Sequence, residues 1–491
     1  MNGRDPNSKT TVLVVGGGVS GLAAACRLVE QRDTLQLDLN VKLIEAADRL
    51  GGSIETTSRD GFLLEGGPDS FITQKPWALA LVKRLGIEDR LIRTDPDLRR
   101  TFVVRKGRLL PVPEGFMMLA PTRWWPMITS PLFSLRGKLR MGLDLFIPRG
   151  PEQADESLAS FVTRRLGREA LDRMAQPMIG GIYTADPKNL SLRATMPRFL
   201  DLEKQYGSII KGMRAGQKQT QKHAPRDAGA RYSLFVSFDA GMEVLVDAIA
   251  ERLGASVVTT GRAARRLSRN RDDKTWTITT TDGESITADA VVLTTPAGAS
   301  SRILADLDAD LAASLAAIKY ASSATLSLAY RRDAVAHPLD GFGFVVPAVE
   351  KRPLIAGSFS SVKFAGRAPD GHVLIRAFIG GAMFPEQMAL DDAEITEAVQ
   401  RELAALLGIT GEPLFTALRR YPDSMPQYPV GHLERVERMF VQIERLGAIR
   451  LAGNAYGGVG IPDCVHAGEQ AADAVLDQLG LVADTRGGDA A

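Results

Sequence analysis

The sequence predicts an α/β fold, in which a Rossmann-type parallel sheet is assembled from discontinuous segments and joined by a mixed-sheet domain and a helical subdomain. In the stretch 10–45, an apolar run at 12–15 is followed by a glycine turn, a helical pattern and a second strand that ends at Glu45. Continuous β-branched runs are typical of strands buried on both faces of a parallel sheet. A strand and a glycine loop return at 449–460, and strands alternate with a helix between 299 and 443. We therefore expect one sheet built from both ends of the chain and a second, mixed sheet between them.

The turn after the first strand has the spacing G-x-G-x-x-G at Gly16, Gly18 and Gly21. In this motif the first glycine makes the turn, the second lets a pyrophosphate approach the backbone, and the third lets the helix pack on the sheet. The free N–H groups and the positive dipole end of the helix then face the phosphates. Glu45 stands where a carboxylate accepts hydrogen bonds from an adenosine ribose and repels a 2′-phosphate. The pattern therefore favours a dinucleotide other than NADP over a chance glycine turn.

The segment after Glu45 distinguishes FAD from NAD. Arg49, Gly51 and Gly52 lie in a stretch that resembles the second signature of FAD oxidases of the amine oxidase and phytoene desaturase type. In that group the arginine and the glycines lie along the pyrophosphate and ribityl chain of the flavin. A nicotinamide dehydrogenase has no need of this extension. We therefore expect FAD, and the alternative is an ordinary glycine turn with a surface arginine.

The composition excludes several classes of protein. The 491 residues carry 60 Lys and Arg against 58 Asp and Glu, so the charge balance gives no argument for nucleic-acid binding. The only two cysteines, Cys26 and Cys464, predict neither a disulfide framework nor a metal site and favour a reducing, intracellular setting. Residues 1–9 lack the apolar core of a signal peptide, and no apolar run reaches the length of about 18 residues that a transmembrane helix needs. We expect flexible ends at 1–9 and 483–491.

The residues between the two glycine loops predict several local elements. A helix is expected at 77–86 and a hairpin at 101–113. A further helix is expected over 156–178, broken by the adjacent glycines Gly180 and Gly181. Residues 205–231 are polar and basic, which predicts a mobile loop.

Residues 114–150 mix large apolar side chains with scattered basic ones. The apolar set is Phe116, Met117, Met118, Leu119, Trp124, Trp125, Met127, Ile128, Leu132 and Phe133, beside Arg123, Arg136, Lys138 and Arg140. This composition is typical of a segment that lies in a membrane interface. A helical subdomain with its own core, or an entrance for an apolar substrate, explains the pattern equally well.

These patterns predict three domains, each with its own ranges. They are an FAD-binding domain at 10–88, 236–298 and 444–480, a substrate-binding domain at 89–104, 206–235 and 299–443, and a helical, membrane-associating subdomain at 105–205.

Motifs spread over nearly the whole chain narrow the choice of protein family. They are Gly67-Pro-Asp-Ser-Phe71, Gly180-Gly-Ile-Tyr-Thr-Ala-Asp-Pro187 with Leu190-Ser-Leu192, Gly341-Phe-Gly343, Pro426-Gln-Tyr-Pro-Val-Gly-His432 and Gly453-Asn-Ala-Tyr-Gly-Gly-Val-Gly-Ile-Pro-Asp-Cys464. With them the sequence resembles the oxygen-dependent protoporphyrinogen and coproporphyrinogen oxidases of haem synthesis. The resemblance implies six-electron oxidation of a porphyrinogen by noncovalent FAD, with O2 reoxidising the flavin to give hydrogen peroxide. Because the flavin carries the redox chemistry, no acid–base residue is expected, and His432 and Cys464 are interpreted as structural.

The resemblance also implies individual contacts. The expected FAD contacts are Gly16, Gly18, Gly21, Glu45, Arg49, Gly51, Gly52, Gly67, Val258, Gly453, Asn454, Gly460, Ile461 and Pro462. The helix that starts at Gly460 would stabilise negative charge at the flavin N1 and C2 oxygen. The expected substrate contacts are the carbonyl of Gly181, the apolar Phe342, Val345 and Phe378 on pyrrole faces, and Arg100 on a propionate, with Arg99 and Lys75 as further candidate cations. The alternative is that the three apolar residues belong to the hydrophobic core and do not contact the substrate.

The choice of substrate stays open at this stage. Coproporphyrinogen III carries four carboxylates and protoporphyrinogen IX two, so Lys75, Arg99 and Arg100 favour the former. The pair Trp124 and Trp125 favours the latter. An amine oxidase or a carotenoid desaturase shares the first FAD motifs, and a porphyrin-carrying flavoprotein without turnover is the non-enzymatic alternative. Also open are a contact with ferrochelatase, a homodimer, and a cytoplasmic location with or without peripheral attachment to the inner face of the membrane.

Overall fold

Two large sheets organise the part of the chain that the computed structural model describes, which is residues 9–117, 120–150, 155–223, 234–270, 272 and 274–482. One sheet is parallel and five-stranded, and the other is mixed and seven-stranded. This confirms the α/β fold class that the sequence predicts.

The five-stranded sheet collects strands from both ends of the chain. In spatial order they are Val258–Thr259, Leu39–Ile44, Thr10–Val15, Ala290–Leu293 and Ile449–Leu451, all parallel. The first strand is buried on both faces, because Val12 and Val14 enter one core cluster while Leu13 and Val15 enter another. The prediction of a two-sided buried strand is therefore confirmed.

Helices cover both faces of this parallel sheet. On one face they are Val19–Leu35, Pro76–Leu85, Glu243–Leu253 and Ile461–Gln478. On the other they are Ala297–Leu304, Ala309–Ala316 and His432–Leu446, with the antiparallel strands Ala264–Arg269, Trp276–Thr280 and Ser285–Ala288 beside them. The helix predicted at 77–86 is confirmed, and it ends at Gly86 in the left-handed conformation that favours glycine.

The seven-stranded sheet, which we call the substrate sheet, joins distant segments. In spatial order its strands are Phe415–Pro426, Tyr320–Arg331, His372–Gly380, Ala356–Phe359, Gly343–Val345, Thr101–Arg105 and Arg108–Pro111. The predicted hairpin forms its last two strands, so Arg108–Pro111 belongs to this sheet although it lies within the range 105–205 predicted for the helical subdomain. The helix Asp392–Leu407 covers one face, and it begins with a capping box between Asp391 and Glu394.

The remaining helices form a layer with its own core against the other face of the substrate sheet. They are Trp124–Thr129, Leu135–Gly142, Leu158–Leu166, Arg168–Ala170, Leu171–Ala175 in π-helical geometry, Gln176–Tyr183, Leu192–Thr195, Pro197–Tyr206 and Ile209–His223. A fully buried ion pair between Arg165 and Asp144 ties this layer together. Asp144 also accepts hydrogen bonds from the Ser208 hydroxyl and the Ile210 N–H.

Two sequence predictions in this layer are wrong. The helix is not broken at Gly180 and Gly181, because Gln176–Tyr183 runs through both and ends at Thr184; the break lies earlier, at Gly167 with a φ of 92°. A glycine inside a helix costs only about 1 kcal/mol, which tertiary packing can offset. The range predicted as a mobile loop contains the helix Ile209–His223, because three of its residues, Ile209, Ile210 and Met213, are buried in the core of the layer. Residues 224–231 of that range lie outside the described residues.

Short strands complete the fold. They are Thr56–Arg59 with Phe62–Glu65, Phe71–Ile72 with Phe235–Phe238 and Leu91–Arg93, and Phe116–Met117 with Ala120–Pro121. A four-residue helix, Ser360–Lys363, precedes the strand His372–Gly380.

Candidate functional site

Three loops meet at the carboxyl edge of the parallel sheet. They are 16–21, 45–54 and 453–460, and we call this region the cofactor edge. Since the strands before them are parallel, their carboxyl ends lie at the same edge, where ligands of open α/β sheets bind. The first and last helices cross closely beneath it, because a Cβ on Gly468 would lie 2.1 Å from the Ser20 carbonyl oxygen. This close crossing brings the first and last loops together.

The glycines of the first loop have different physical tasks. A Cβ on Gly21 would lie 1.8 Å from the Gly16 carbonyl oxygen, so Gly21 is needed for packing within the protein. Gly16 has a φ of 111° and packs against the Thr294 side chain. A Cβ on Gly18, in contrast, would meet no described atom within 4 Å. The open space at Gly18 at the start of a helix fits the approach of a pyrophosphate.

The second loop stands directly beside the first. The Gly51 N–H donates to the Gly17 carbonyl at 2.8 Å, and a Cβ on Gly52 would lie 3.3 Å from the Gly18 Cα. The Arg49 guanidinium donates to the carbonyls of Leu50, Gly52 and Ile54 and pairs with Glu55 at 3.1 Å. Arg49 therefore holds the shape of this loop. Gly67 packs on it from the other side, because a Cβ there would lie 1.7 Å from the Ser53 carbonyl oxygen.

Glu45 lies at the end of the second strand, next to the first loop. Its carboxylate accepts hydrogen bonds from the Gly17 N–H at 2.5 Å and the Ala47 N–H at 2.8 Å. Val258 lies alongside, in the edge strand that pairs with Leu43 and Ile44. The acid and Val258 are therefore on the side of the cofactor edge where the adenosine of a dinucleotide would lie.

The third loop leads into the last helix. Gly453 has a φ of 137°, and Gly460 is the N-cap of Ile461–Gln478, with Pro462 in the first turn. The Asn454 carbonyl accepts a hydrogen bond from the Tyr428 hydroxyl. Asp463, in the same first turn, pairs with the Lys75 ammonium at 2.6 Å. Lys75, a candidate substrate cation from the sequence, thus lies at the cofactor edge.

Buried rings and a thiol surround this third loop. His432 is fully buried and stacks on Tyr428 with ring centroids 4.2 Å apart, and its Nε2 lies 3.1 Å from the Tyr456 carbonyl oxygen. Burial lowers the pKa of His432. Burial raises the pKa of the Cys464 thiol to about 12. Both groups are therefore uncharged at neutral pH.

Two of the predicted substrate residues, Val345 and Phe378, lie on one face of the substrate sheet. Val345 pairs with Ala356, and Ala356 pairs with Phe378, so the three side chains form a cross-strand row that packs on the helical layer. We call Val345, Ala356 and Phe378 the apolar row. Gly181 lies on the helix of that layer that contacts the strand of Val345, and a Cβ on Gly181 would meet no described atom within 4 Å. The structure therefore brings Val345 and Phe378 together and places the helix that carries Gly181 against the strand of Val345.

Arg100 and Phe342 lie together at the start of the neighbouring strands. The Phe342 N–H donates to the Arg100 carbonyl at 2.8 Å, and the Phe342 side chain is half-buried. The Arg100 guanidinium is exposed and pairs with Asp340 at 2.6 Å. Arg99 is exposed as well.

Tyr183 connects the two regions. It lies two residues after Gly181 on the same helix, and burial together with the nearby charge of Asp463 raises its pKa to about 12. Since Asp463 lies in the first turn of the helix that follows the third loop, Tyr183 is within electrostatic reach of the cofactor edge.

Sequence reasoning missed a largely buried charge cluster between the two regions. Lys363 donates to both Asp69 carboxylate oxygens, at 2.8 and 3.0 Å, and Arg376 donates to the Gly66 carbonyl at 2.6 Å. Burial alone would raise the pKa of Asp69, but the charges of Lys363 and Arg376 outweigh it and lower the pKa to about 2. The Arg376 guanidinium also lies over the Phe378 ring, 5.0 Å from its centroid. The cluster therefore links the turn before Asp69 to the apolar row.

Of the residues that sequence reasoning missed, only Thr294 could have been found from a sequence pattern. Thr294 donates to the Val15 and Gly16 carbonyls at 2.9 and 3.0 Å, and it directly follows the strand Ala290–Leu293. The rule that strand ends meet at one edge therefore points to Thr294. The pairing of Asp69 with Lys363 joins residues far apart in sequence, and no local pattern indicates it.

An exposed apolar face lies on the helical layer, away from the cores. Its side chains, 51–80% exposed, are Trp125, Ile128, Leu135, Leu139, Leu143 and Phe146. The same segment also buries Phe116, Met127, Leu132 and Phe133, so it has both a core and an exposed face. Among the described residues, no helix combines the length and the apolar character needed to cross a membrane.

Comparison with known proteins finds relatives over nearly the whole chain. The family described as flavin containing amine oxidoreductase matches residues 19–476. The chain is 32% identical to a coproporphyrinogen III oxidase of Bacillus subtilis over 96% of this chain and 99% of that protein. It is 31% identical to a chloroplastic protoporphyrinogen oxidase of Nicotiana tabacum over 96% of this chain and 87% of that protein. A crystal structure from Exiguobacterium sp. 255-15 matches with a TM-score of 0.83 and 29% identity, over 96% of this chain and all of that one.

Proposed function

Because the chain belongs to the flavin containing amine oxidoreductases, and among them to the porphyrinogen oxidases, we propose that it oxidises coproporphyrinogen III to coproporphyrin III with noncovalently bound FAD and O2. The observation that carries the proposal is that the third loop of the cofactor edge packs against the helical layer and the apolar row: Val459 packs on the core that contains Val345, Ala356 and Phe378, and Tyr428 of that core donates to the Asn454 carbonyl. The macrocycle of a porphyrinogen is largely apolar, so it would bind on an apolar surface beside the flavin, and the apolar row is such a surface.

The residues of the cofactor edge fit an FAD. The open space at Gly18 and the N-terminus of the first helix would receive the pyrophosphate, and Glu45 would accept hydrogen bonds from the ribose. Arg49 keeps the loop of Gly51 and Gly52 in place beside them. The first turn of the last helix would adjoin the pyrimidine end of the flavin.

The main task of the protein in this reaction is to position the macrocycle beside the flavin. When bound, FAD supplies the hydride acceptor, and porphyrinogen plus three O2 gives porphyrin plus three hydrogen peroxide. Val345 and Phe378 would hold the macrocycle by apolar contact, and the helix of Gly181 would let it approach without a side chain in the way. Arg100, exposed beside Phe342, would bind a propionate in exchange for Asp340.

Coproporphyrinogen III is the first candidate because of the exposed cations next to Phe342. Arg99 and Arg100 give this side of the site two positive charges for a tetracarboxylate. Protoporphyrinogen IX is the second candidate, favoured by the exposed apolar face, since a less charged substrate is delivered more readily from a membrane surface. We also propose that this face rests on an anionic lipid surface, because exposed Arg136 and Arg149 border its apolar side chains.

The test is aerobic turnover of the two porphyrinogens side by side, measured by porphyrin fluorescence above the rate without protein. The proposal predicts catalysed oxidation with a several-fold preference in kcat/KM for coproporphyrinogen III. The opposite preference would transfer the assignment to protoporphyrinogen IX. Yellow protein with no rate above background on either compound would contradict porphyrinogen oxidation and favour a carrier or an amine oxidase.

A further inference from the structure

Lys75 and Asp463 form an ion pair that the proposed chemistry does not use. Lys75 directly precedes the helix Pro76–Leu85, and Asp463 lies in the first turn of Ile461–Gln478. Their Nζ and Oδ1 atoms are 2.6 Å apart, and Asp463 is largely buried while Lys75 is half-exposed. The pair therefore joins two helix starts at the cofactor edge.

The Asp463 carboxylate is held against the third loop. A Cβ on Gly458 would lie 2.5 Å from its Cγ, and a Cβ on Gly460 would lie 3.1 Å from its Oδ2. The two glycines let the carboxylate pack directly on the loop backbone. Its negative charge is thus fixed at the end of the helix whose positive dipole faces the cofactor edge.

A second contact joins the same two helices. Trp77, two residues along the chain, stacks on His466 with ring centroids 3.9 Å apart and an interplanar angle of 9°. Burial lowers the pKa of His466, so its ring is uncharged at neutral pH and does not replace Lys75 as the partner of Asp463. The stacked rings and the ion pair together fix the two helix starts relative to each other.

We propose that Lys75 is a positioning residue that neutralises Asp463 and thereby keeps the reduction potential of the bound flavin high enough to accept hydride. Reduction of a flavin puts negative charge on its N1 and C2 oxygen, which the proposed binding mode directs toward the first turn of the last helix. An unpaired Asp463 carboxylate there would oppose that charge, and the Lys75 ammonium removes the opposition. The inference rests on the proposed flavin binding, and it differs from the expectation that Lys75 binds a propionate.

The experiment measures the reduction potential of the bound flavin by equilibration with a reference dye, after the flavin content of each purified protein has been determined. Lys75→Met is expected to lower the potential, because it leaves Asp463 unpaired. Asp463→Asn is expected to raise it, because it leaves Lys75 unpaired. The double variant is expected to have a reduction potential close to that of the wild type. Lys75→Arg keeps the ion pair and is therefore expected to have the wild-type potential.

The matched control is Lys83→Met, an exposed lysine in the last turn of the same helix, which should leave the potential unchanged. An unchanged potential in both Lys75→Met and Asp463→Asn overturns the inference. In that case, a raised KM for coproporphyrinogen III in Lys75→Met would assign Lys75 to substrate binding. If Lys75→Met does not fold, Asp463→Asn decides alone by whether its potential rises. Wild-type protein without bound flavin would refute the proposed function instead.

Discussion

The cofactor edge and the apolar row are built in different ways. The cofactor edge is made of backbone: Gly16, Gly51 and Gly453 have positive φ angles, and Gly21 and Gly67 leave no room for a side chain. The apolar row is made of side chains, Val345, Ala356 and Phe378, which strand register places next to one another. In the proposed assignment, cofactor binding would thus depend on local chain geometry, whereas substrate choice would depend on the long-range pairing of strands.

The largest effect is expected from Gly18→Val. Since a Cβ at this position would meet no described atom within 4 Å, the variant should fold, while its side chain occupies the space proposed for the pyrophosphate. We predict colourless protein with a melting temperature close to that of wild-type apoprotein, measured by absorbance and by thermal unfolding.

Gly21→Val is the matched comparison within the same loop. Its Cβ would lie 1.8 Å from the Gly16 carbonyl oxygen, so it should destabilise the protein itself. A yellow, fully loaded Gly18→Val protein would contradict the proposed phosphate position.

The difference between the two regions also explains what the sequence can predict. The strand 12–15, the glycine spacing and Glu45 are neighbours in the chain, so their pattern predicts the cofactor edge. The prediction of Gly181, Val345 and Phe378 rests on resemblance to a family, because no local sequence pattern indicates that their strands and helix adjoin.

The wrong predictions have a similar physical origin. The polar sequence of 205–231 hides a helix because three apolar residues, Ile209, Ile210 and Met213, bury themselves against distant helices. Gly180 and Gly181 stay helical for the same reason, since packing of the surrounding helix offsets their low propensity. Tertiary packing therefore overrides the local helix or loop propensity at these positions.

The second effect concerns the junction between the two regions. Asp69 has a pKa of about 2 in the folded protein against an ordinary value of 3.8, so its ionised form stabilises the fold by about 2 kcal/mol. Because the folded pKa is lowered, this contribution is present above pH ~4 and is lost as the pH falls through ~2. We predict that Asp69→Asn lowers the free energy of unfolding in urea by about 2 kcal/mol at pH 7, and by less at pH 3.

The control is Asp60→Asn, an exposed carboxylate at a φ of 51°, a conformation that asparagine adopts well. It should change stability by less than about 0.5 kcal/mol at either pH. An Asp69→Asn effect that is the same at pH 7 and pH 3 would show that the ion pair with Lys363 is not its cause.

The third effect tests the apolar row alone. Phe378→Ala removes a half-buried ring, and if that ring contacts the macrocycle, kcat/KM for the porphyrinogen should fall roughly tenfold, equivalent to about 1–2 kcal/mol. Flavin content should stay at the wild-type level, and Phe378→Leu should recover much of the loss. Unchanged kinetics with reduced stability would assign Phe378 to the core instead.

The smallest effect on stability is expected at the exposed apolar face. Leu139 is 66% exposed, so Leu139→Gln should change the free energy of unfolding by less than about 0.5 kcal/mol. We expect it to weaken cosedimentation with vesicles that contain anionic phospholipid. Leu414→Gln, at an exposed leucine outside this face, should leave vesicle binding unchanged. Equal vesicle binding by both variants and the wild type would contradict a lipid-bound face.

The central claim is that the cofactor edge and the apolar row form one site in which a porphyrinogen meets the flavin. Its most direct test is anaerobic mixing of the flavin-loaded protein with coproporphyrinogen III while the absorbance of oxidised flavin is followed. We predict rapid bleaching of the flavin with formation of porphyrin, and recovery of the colour when O2 is admitted. Flavin that stays oxidised with coproporphyrinogen III, and equally with protoporphyrinogen IX, would contradict a shared site.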